Sequence, residues 1–195
     1  AGIPITAIEN STESNNDGNH DKVTEVVLPD SIKAIKKNAF TKFTALSRLN
    51  IPAGVTLIEE AAFSETALTS VTIPDGITNI PKNAFNICAS LTSVRLPEGL
   101  LSIREGAFAS CNRLEELTIP ESVVIIEDIA FTGCQSLKKL VIPFGVGDPI
   151  APGTFAGCSS LEVLEIPSHC FTDALAQTLS SARTTVIIYD LIDGV

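Results

Sequence analysis

Apolar and polar residues alternate along this chain in short stretches that end at a proline. In the clearest copy Leu117 and Ile119 alternate with the polar residues Glu116 and Thr118, and Pro120 follows directly. Alternation with a period of two is typical of a strand that buries one face. Proline has no amide hydrogen to donate, so it ends the hydrogen-bonded ladder. The pattern therefore predicts strands of about three to five residues.

In the sequence after each proline, the apolar residues are spaced more widely than in the strand pattern. After Pro120 they are Val123, Ile126 and Phe131. This spacing predicts a turn and a short helical or 3₁₀ segment, which carries the chain back towards the next strand. Prolines that close a strand pattern in this way are Pro29, Pro52, Pro74, Pro97, Pro120, Pro143 and Pro167.

The whole pattern repeats with a period in the twenties. Each return segment contains a phenylalanine that follows a small residue, and successive phenylalanines are 22 to 24 residues apart. Units of this length cannot bury an apolar face alone, so neighbouring units stack into a solenoid. Equivalent residues then form columns through the core, and the aromatic column comprises Phe40, Phe63, Phe85, Phe108, Phe131 and Phe155.

The repeats occupy residues 23–167, and the segment before them has a different composition. Residues 1–22 begin with alternating apolar residues and continue into an Asn- and Ser-rich stretch. This composition predicts an N-terminal cap that consists of one strand and an exposed loop. Together with the segment that follows the repeats, it indicates a single solenoid domain over residues 1–195.

The segment after the repeats, residues 168–195, lacks the small-residue and phenylalanine signature yet remains apolar. Asp173 is a suitable N-cap for a helix over residues 174–182. Residues 185–189 have the composition of a strand. We therefore expect a C-terminal cap that covers the last coil.

The string L-x-x-V-x-I-P-x-x-V-x-x-I-x-x-x-A-F-x-x-C resembles the BspA-like (treponemal-type) subclass of leucine-rich repeats, and the resemblance covers residues 23–167. It implies an α/β-type leucine-rich-repeat solenoid with short parallel strands on the concave face. Turns and short helical or 3₁₀ segments would form the convex side, with a cap at each end. The family occurs largely in bacterial surface proteins and in some microbial eukaryotes. The resemblance therefore also implies binding to a protein or glycan, often in adhesion.

Composition and charge exclude several classes of function. The net charge of −10 makes attraction to nucleic acid or to anionic lipid improbable. No apolar run approaches the ~20 residues that span a bilayer, so we expect no membrane insertion. A chain with 45% apolar and 18% charged residues is suited to a folded core. We expect it to be a monomer.

Candidate chemistry is sparse. The chain has two histidines, His20 and His169, and His169 adjoins Cys170. Adjacent residues on an extended chain point apart, whereas a Cys–His nucleophile pair needs side chains that face each other. Neither a zinc-ligand cluster, nor a phosphate-binding loop, nor a calcium-loop spacing around Asp148 occurs. The sequence therefore predicts a protein that is not an enzyme and that uses no cofactor and no metal.

Four of the five cysteines keep a fixed place in the repeat, three residues after the phenylalanine. Because equivalent residues stack, they should form a column inside the solenoid. We interpret them as small, buried, reduced side chains. Disulfides between neighbouring coils remain an alternative. Neighbouring strands of a ladder lie ~4.8 Å apart, and this spacing falls within the range of Cα–Cα distances that a disulfide permits. These cysteines are Cys88, Cys111, Cys134 and Cys158.

Candidate binding residues lie at the outward positions of the strands. One column runs through Glu25, Arg48, Ser70, Ser93, Glu116, Lys139 and Val163, and the other through Val27, Asn50, Thr72, Arg95, Thr118, Val141 and Glu165. Both columns mix charges and contain no aromatic residue, so a merely solvated face remains the alternative to a binding face. Phe144 stands where the other repeats have polar or small residues, and it is either an exposed anchor or a side chain that folds inward. The candidate partner-binding residues are Arg48, Asn50, Thr72, Arg95, Glu116, Thr118, Lys139 and Phe144.

Two classes of function are compatible with this pattern. The first is an adhesion module, secreted or at the cell surface, that binds a protein or a glycan. The second is an interaction scaffold in the cytoplasm or delivered into a host cell, where free cysteines would be natural. A spacer domain without a ligand of its own is a further alternative.

Overall fold

A computed structural model describes residues 7–8, 20–180 and 183–190 of the chain. In chain order its strands are β1 (Ala7–Ile8), β2 (Glu25–Val27), β3 (Ala34–Ile35), β4 (Arg48–Asn50), β5 (Leu57–Ile58), β6 (Ser70–Thr72), β7 (Asn79–Ile80), β8 (Ser93–Arg95), β9 (Ser102–Ile103), β10 (Ile125–Ile126), β11 (Lys139–Val141), β12 (Val163–Pro167) and β13 (Thr185–Tyr189). The helix α1 spans Asp173–Leu179, and 3₁₀ turns lie at His20–Lys22, Pro152–Phe155 and Ser168–Cys170.

Parallel pairing between successive coils confirms the predicted solenoid. We call the strands that precede the repeat prolines, together with β13, the strand face. They pair as β2 with β4, β6 with β8, β11 with β12, and β12 with β13. Glu25 lies opposite Arg48, Ser70 opposite Ser93, and Lys139 opposite Val163. The register of these pairs matches the columns derived from the sequence.

The return segments consist of turns and two-residue strands, which pair in parallel as β1–β3–β5 and β7–β9–β10. Left-handed backbone explains why they are not helical. Residues two before and two after the repeat phenylalanine have positive φ in most coils, and a helix cannot run through such residues. In the last coil the 3₁₀ turn Pro152–Phe155 forms, and there the residue two before Phe155 is not left-handed. The left-handed residues are Asn38, Lys42, Ala61, Glu65, Asn83, Ile87, Gly106, Ser110, Ile129, Gly133 and Gly157.

The core is built from columns of equivalent residues, as expected for stacked repeats. The six repeat phenylalanines form a continuous stack with ring centroids 5.2–6.1 Å apart and planes within 8° of parallel. The residue before each phenylalanine is buried as well. At five coils it is alanine, and at the sixth it is Thr154, whose hydroxyl is buried without a hydrogen-bond partner among the described residues.

The C-terminal cap differs in detail from the prediction. Thr172, rather than Asp173, is the N-cap of α1, because its hydroxyl accepts a hydrogen bond from the Leu175 amide at 3.2 Å. Asp173 becomes the first residue of the helix, where its carboxylate still favours the N-terminus. The helix ends at Leu179, and residues 181–182 lie outside the described ranges. The predicted strand over residues 185–189 is confirmed and pairs with β12 along its whole length.

At the N-terminus, β1 pairs in parallel with β3. It lies within the stretch predicted to be a capping strand. The polar loop predicted between this strand and the first repeat lies almost entirely outside the described residues.

Candidate binding surface

The strand face presents its outward side chains in two columns, which are exposed except at the half-buried Val141, Val163 and Glu165. They alternate with buried residues such as Leu49, Val71 and Leu140, which anchor the strands to the core. Each column has the parallel register of the ladder, so equivalent side chains from successive coils are neighbours. The face therefore places Arg48, Asn50, Thr72, Arg95, Glu116, Thr118 and Lys139 on one side of the molecule, as predicted.

Two of the three cationic residues among these candidates form ion pairs. The Arg48 guanidinium lies 2.9 Å from the Glu25 carboxylate, and the Lys139 ammonium lies 2.6 Å from the Glu165 carboxylate. No ion pair with Arg95 occurs in the part of the chain that the structure describes. Exposed ion pairs contribute little stability, but they reduce the positive charge that a ligand meets. Arg95 is therefore the cation of this face most available to a partner.

The ladder of the strand face is interrupted between β4 and β6, which lie in separate sheets, and again next to β8. Backbone hydrogen bonds join Thr92 to Thr69, and Lys138 to Glu115. Among the described residues, none joins the segment 92–95 to the segment 114–118. Glu116 instead makes an isolated parallel bridge to Lys139. An open groove lies at the interruption next to β8, lined by Thr92, Ser93, Val94, Glu115, Glu116 and Thr118.

This interruption corrects the strand predicted over residues 116–119. The burial pattern is as expected, with Leu117 and Ile119 buried and Thr118 exposed. The hydrogen-bonded strand is nevertheless absent, because alternation reports which side chains are buried and not how near the neighbouring backbone lies. Sequence reasoning missed the groove for the same reason, since this copy of the repeat is the most regular one.

A second groove adjoins the first on the side of β11. Glu116, Thr118 and Lys139 line it together with Glu121 and Val141. The two grooves share Glu116 and Thr118, which lie between them. The structure thus brings Glu116, Thr118 and Lys139 together. Arg48 and Asn50 line a separate depression near β2.

Phe144 lies apart from the other candidates and is half-buried. Its ring packs edge-on against His169, with centroids 5.2 Å apart, and also contacts Tyr189 at 6.4 Å. The Tyr189 hydroxyl donates a hydrogen bond to the Ile142 carbonyl. Phe144 therefore joins the last repeat to the C-terminal cap, and only part of its ring is available to a partner.

His169 and Cys170 are oriented towards a backbone carbonyl and not towards each other. The Val146 carbonyl lies 2.8 Å from His169 Nε2 and 3.3 Å from Cys170 Sγ, which donates to it. Burial raises the pKa of the Cys170 thiol, whereas a nucleophilic cysteine needs a lowered one. This arrangement lacks the geometry and the electrostatics of an activated nucleophile.

The cysteines of the repeat are structural. All five cysteines are free and buried. The thiol of each repeat cysteine donates to the carbonyl of the repeat phenylalanine one coil earlier, at 3.1–3.2 Å. Within the described residues no group of three or more His, Cys, Asp or Glu side chains is placed to hold a metal ion. Helices long and apolar enough to cross a bilayer are likewise absent from that part of the chain.

Comparison with known proteins identifies the same type of repeat. The sequence profile of BspA type leucine rich repeat regions matches six copies in this chain, over residues 16–138 and 78–180. The crystal structure of the Treponema pallidum leucine rich repeat protein is 27% identical, with a TM-score of 0.69 over 84% of this chain and 85% of that chain. No curated protein sequence matches the chain.

A second solved structure shares the fold at lower identity. It is a leucine-rich repeat protein from Bacteroides ovatus, 22% identical with a TM-score of 0.52. The match covers 87% of this chain and 61% of that chain. Proteins with this type of repeat are generally scaffolds without catalytic activity and generally bind other proteins.

Proposed function

Because this chain belongs to the family of BspA-type leucine-rich repeat proteins, we propose that it is a non-catalytic adhesion module. In this proposal it is secreted or displayed at a cell surface, and it binds a protein or glycan partner through its strand face. The single observation that carries the proposal is the exposed Arg95, which has no ion-pair partner among the described residues and lies on β8 next to the interrupted ladder.

The chemistry of the face favours a polar partner. The outward residues beside Arg95 include the exposed hydroxyl side chains of Thr72, Ser93 and Thr118, and the adjoining groove also contains Glu115 and Glu116. Hydroxyl groups donate and accept hydrogen bonds, and they rotate to suit the ligand. A guanidinium binds a carboxylate with two parallel hydrogen bonds. We therefore propose a partner that carries carboxylate groups, either as acidic side chains of a protein or as acidic sugars.

Affinity at such a face would be modest. Large binding contributions at interfaces come mainly from Trp, Tyr and Arg. The two outward columns contain two members of that set, Arg95 and Arg48, and Arg48 lies two coils away in a separate depression. Binding would therefore gain from several copies of the module, because linked weak sites act at high effective concentration.

A charge reversal on the strand face tests the proposal. The 195-residue chain is applied to an array of neutral and acidic glycans and to a panel of extracellular matrix proteins. We expect Arg95→Glu to weaken binding at least about tenfold, because it replaces a charge contact by repulsion. Arg113→Glu is the matched control, since Arg113 is exposed outside both outward columns, and this variant should bind within about twofold of the original chain.

Two results would contradict the proposal. Binding that survives Arg95→Glu and Thr118→Lys but is lost in Arg113→Glu would place the site outside the strand face. A chain that binds nothing in either panel, at concentrations that suit a weak interface, would favour the spacer domain.

An intracellular or host-delivered interaction scaffold is the second candidate. Five cysteines without a disulfide support it, because oxidising compartments favour disulfide formation. Burial of all five thiols weakens this support, since a buried thiol reacts slowly in any compartment. The strand face would be the binding surface in both cases.

A further inference from the structure

β13 is the last strand of the described chain, and one of its edges is unpaired there. The strand β13 pairs with β12 on one side, from Val163 opposite Thr185 to Pro167 opposite Tyr189. No strand of the described chain pairs with its other side. The five residues of β13 are Thr, Val, Ile, Ile and Tyr, which favour strands and carry no charge. Natural sheets rarely leave such an edge uncovered.

Two apolar side chains of β13 are also exposed at this end of the described chain. Ile188 continues the inward column that contains Ile142 and Ile166, yet its side chain is 51% exposed whereas those two are fully buried. Ile187 on the outward side is 46% exposed. Both would be covered if another strand followed β13, and burying them would be favourable at about 25 cal/mol per Å² of apolar surface.

The free backbone groups of β13 are spaced symmetrically around Ile187. The Thr185 amide donates to the Glu162 carbonyl at 2.7 Å. In a parallel ladder alternate residues bond to the same neighbour, so Thr185, Ile187 and Tyr189 direct their backbone groups towards β12. The amides and carbonyls of Val186 and Ile188 therefore point away from it, one residue before and one residue after Ile187.

We propose that β13 is a dimerisation strand, which pairs antiparallel with β13 of a second copy of this chain about a two-fold axis at Ile187. Val186 of each copy then faces Ile188 of the other, and these residues exchange the hydrogen bonds that their outward backbone groups offer. Ile187 faces its own counterpart, with about 4.5 Å between the Cα atoms of a pair that is not hydrogen-bonded. Closed two-fold dimers of this kind are the commonest assemblies of identical chains.

Charge favours a second copy in the antiparallel orientation. Arg183 precedes the strand and Asp190 follows it, and both are exposed. Antiparallel pairing brings Arg183 of each copy to the end of the strand where the other copy has Asp190. A parallel partner would instead place like charges side by side. The pairing also joins the strand faces of the two copies edge to edge into one continuous surface. Each copy contributes one binding face to that surface.

A dimer differs from the monomer expected from the sequence. The C-terminal cap predicted over residues 168–195 would close the last coil. In the described chain α1 packs its buried Leu175 and Leu179 inward, while β13 adds a further rung whose outer edge pairs with no described strand.

The mass of the 195-residue chain in solution, measured by light scattering from about 1 to about 500 µM, tests the proposal, because a small interface dissociates in the micromolar range. We expect twice the chain mass at the upper concentrations. Ile187→Lys and Ile187→Glu should each be monomeric, since each places two like charges on the two-fold axis. An equimolar mixture of the two variants should regain the dimer. The control Val27→Lys, at an exposed apolar residue of β2, should dimerise like the original chain.

A cysteine on the axis gives a second readout. Ile187→Cys should form a disulfide-linked dimer under mild oxidation, because the expected Cα separation lies within disulfide range. Thr72→Cys, an exposed residue in the middle of the strand face, should remain uncrosslinked. Melting curves establish that the variants are folded.

Three results would overturn the proposal. The first is a chain that stays monomeric at every concentration. The second is a dimer that persists in Ile187→Lys. The third is association that is lost in Val27→Lys, which would indicate head-to-tail stacking of β13 on β2.

Discussion

In most repeats two positions hold residues in the left-handed region, and most of these residues are not glycine. The φ angle is 59° at Ile87 and 52° at Ile129. For a β-branched residue this conformation costs about 1–2 kcal/mol. The same positions in other coils hold Gly106, Gly133 and Gly157. The solenoid therefore carries local strain at single residues, and the stacking of neighbouring coils offsets it.

Ile87→Gly should raise the free energy of unfolding by about 0.5–1 kcal/mol. Glycine adopts the positive φ without strain, and the gain is partly offset by its greater freedom in the unfolded chain. Little burial is lost, because the Ile87 side chain is 47% exposed. Urea unfolding measures the change. Gly133→Ala is the opposite control and should be less stable, since φ is 73° and an added Cβ would lie 3.3 Å from Ser110 Oγ. A loss in Ile87→Gly would show that the exposed side chain contributes more than the strain costs.

At the scale of the element, the aromatic stack connects six coils. Phe63, Phe85, Phe108 and Phe131 are fully buried. Each ring contacts the ring before and the ring after it, nearly in parallel. Offset parallel rings add about 0.5–1.5 kcal/mol per pair to the energy of burial. The stack therefore stabilises the packing of one coil on the next more than it stabilises the structure within any one coil.

Phe108→Ala should lower the free energy of unfolding by about 3–5 kcal/mol, because it removes a buried ring and leaves a cavity between two coils. Thr118→Ala on the exposed side should cost less than ~0.5 kcal/mol. Denaturant unfolding of both variants provides the comparison. Equal small losses would contradict a stabilising role of the stack.

At the scale of the whole molecule, the cysteine column makes stability depend on pH. Burial raises the pKa of Cys88 and of Cys158 to about 11, and it raises the pKa of Cys111 and Cys134 as well. In the unfolded chain these thiols ionise near their ordinary pKa of 9.0. The native state therefore holds more protons than the unfolded state between these values.

Between neutral pH and about pH 8 the cysteine column should leave stability unchanged, and stability should fall as the pH rises from about 9 to about 11. The sign follows from the raised pKa values, since deprotonation is easier in the unfolded chain and stabilises it. Each buried thiol contributes a slope of up to about 1.4 kcal/mol per pH unit. Urea unfolding at a series of pH values measures the loss. The double variant Cys88→Ala, Cys158→Ala serves as the control and should show a flatter slope. An unchanged slope would assign the alkaline loss to the surface lysines.

The sequence alone determined the architecture and the register. A period of 22 to 24 residues with apolar anchors at fixed positions allows one way of stacking that buries every anchor. Strand pairs such as Glu25 with Arg48 and Ser70 with Ser93 follow from that stacking. Much of the candidate surface was predictable for the same reason, because residues at equivalent positions of parallel coils must share a face.

Only the tertiary structure decided where the regular pattern is broken. Three features depend on distances between segments far apart in the sequence. They are the interruptions of the ladder between β4 and β6 and beside Glu116, the place of Phe144 against His169 and Tyr189, and the edge of β13 that pairs with no described strand. Hydrophobic periodicity records which side of its own strand each residue buries. Hydrogen bonds between coils, and the burial of the last coil, depend on the position of the neighbouring backbone. No pattern within a single repeat specifies that position.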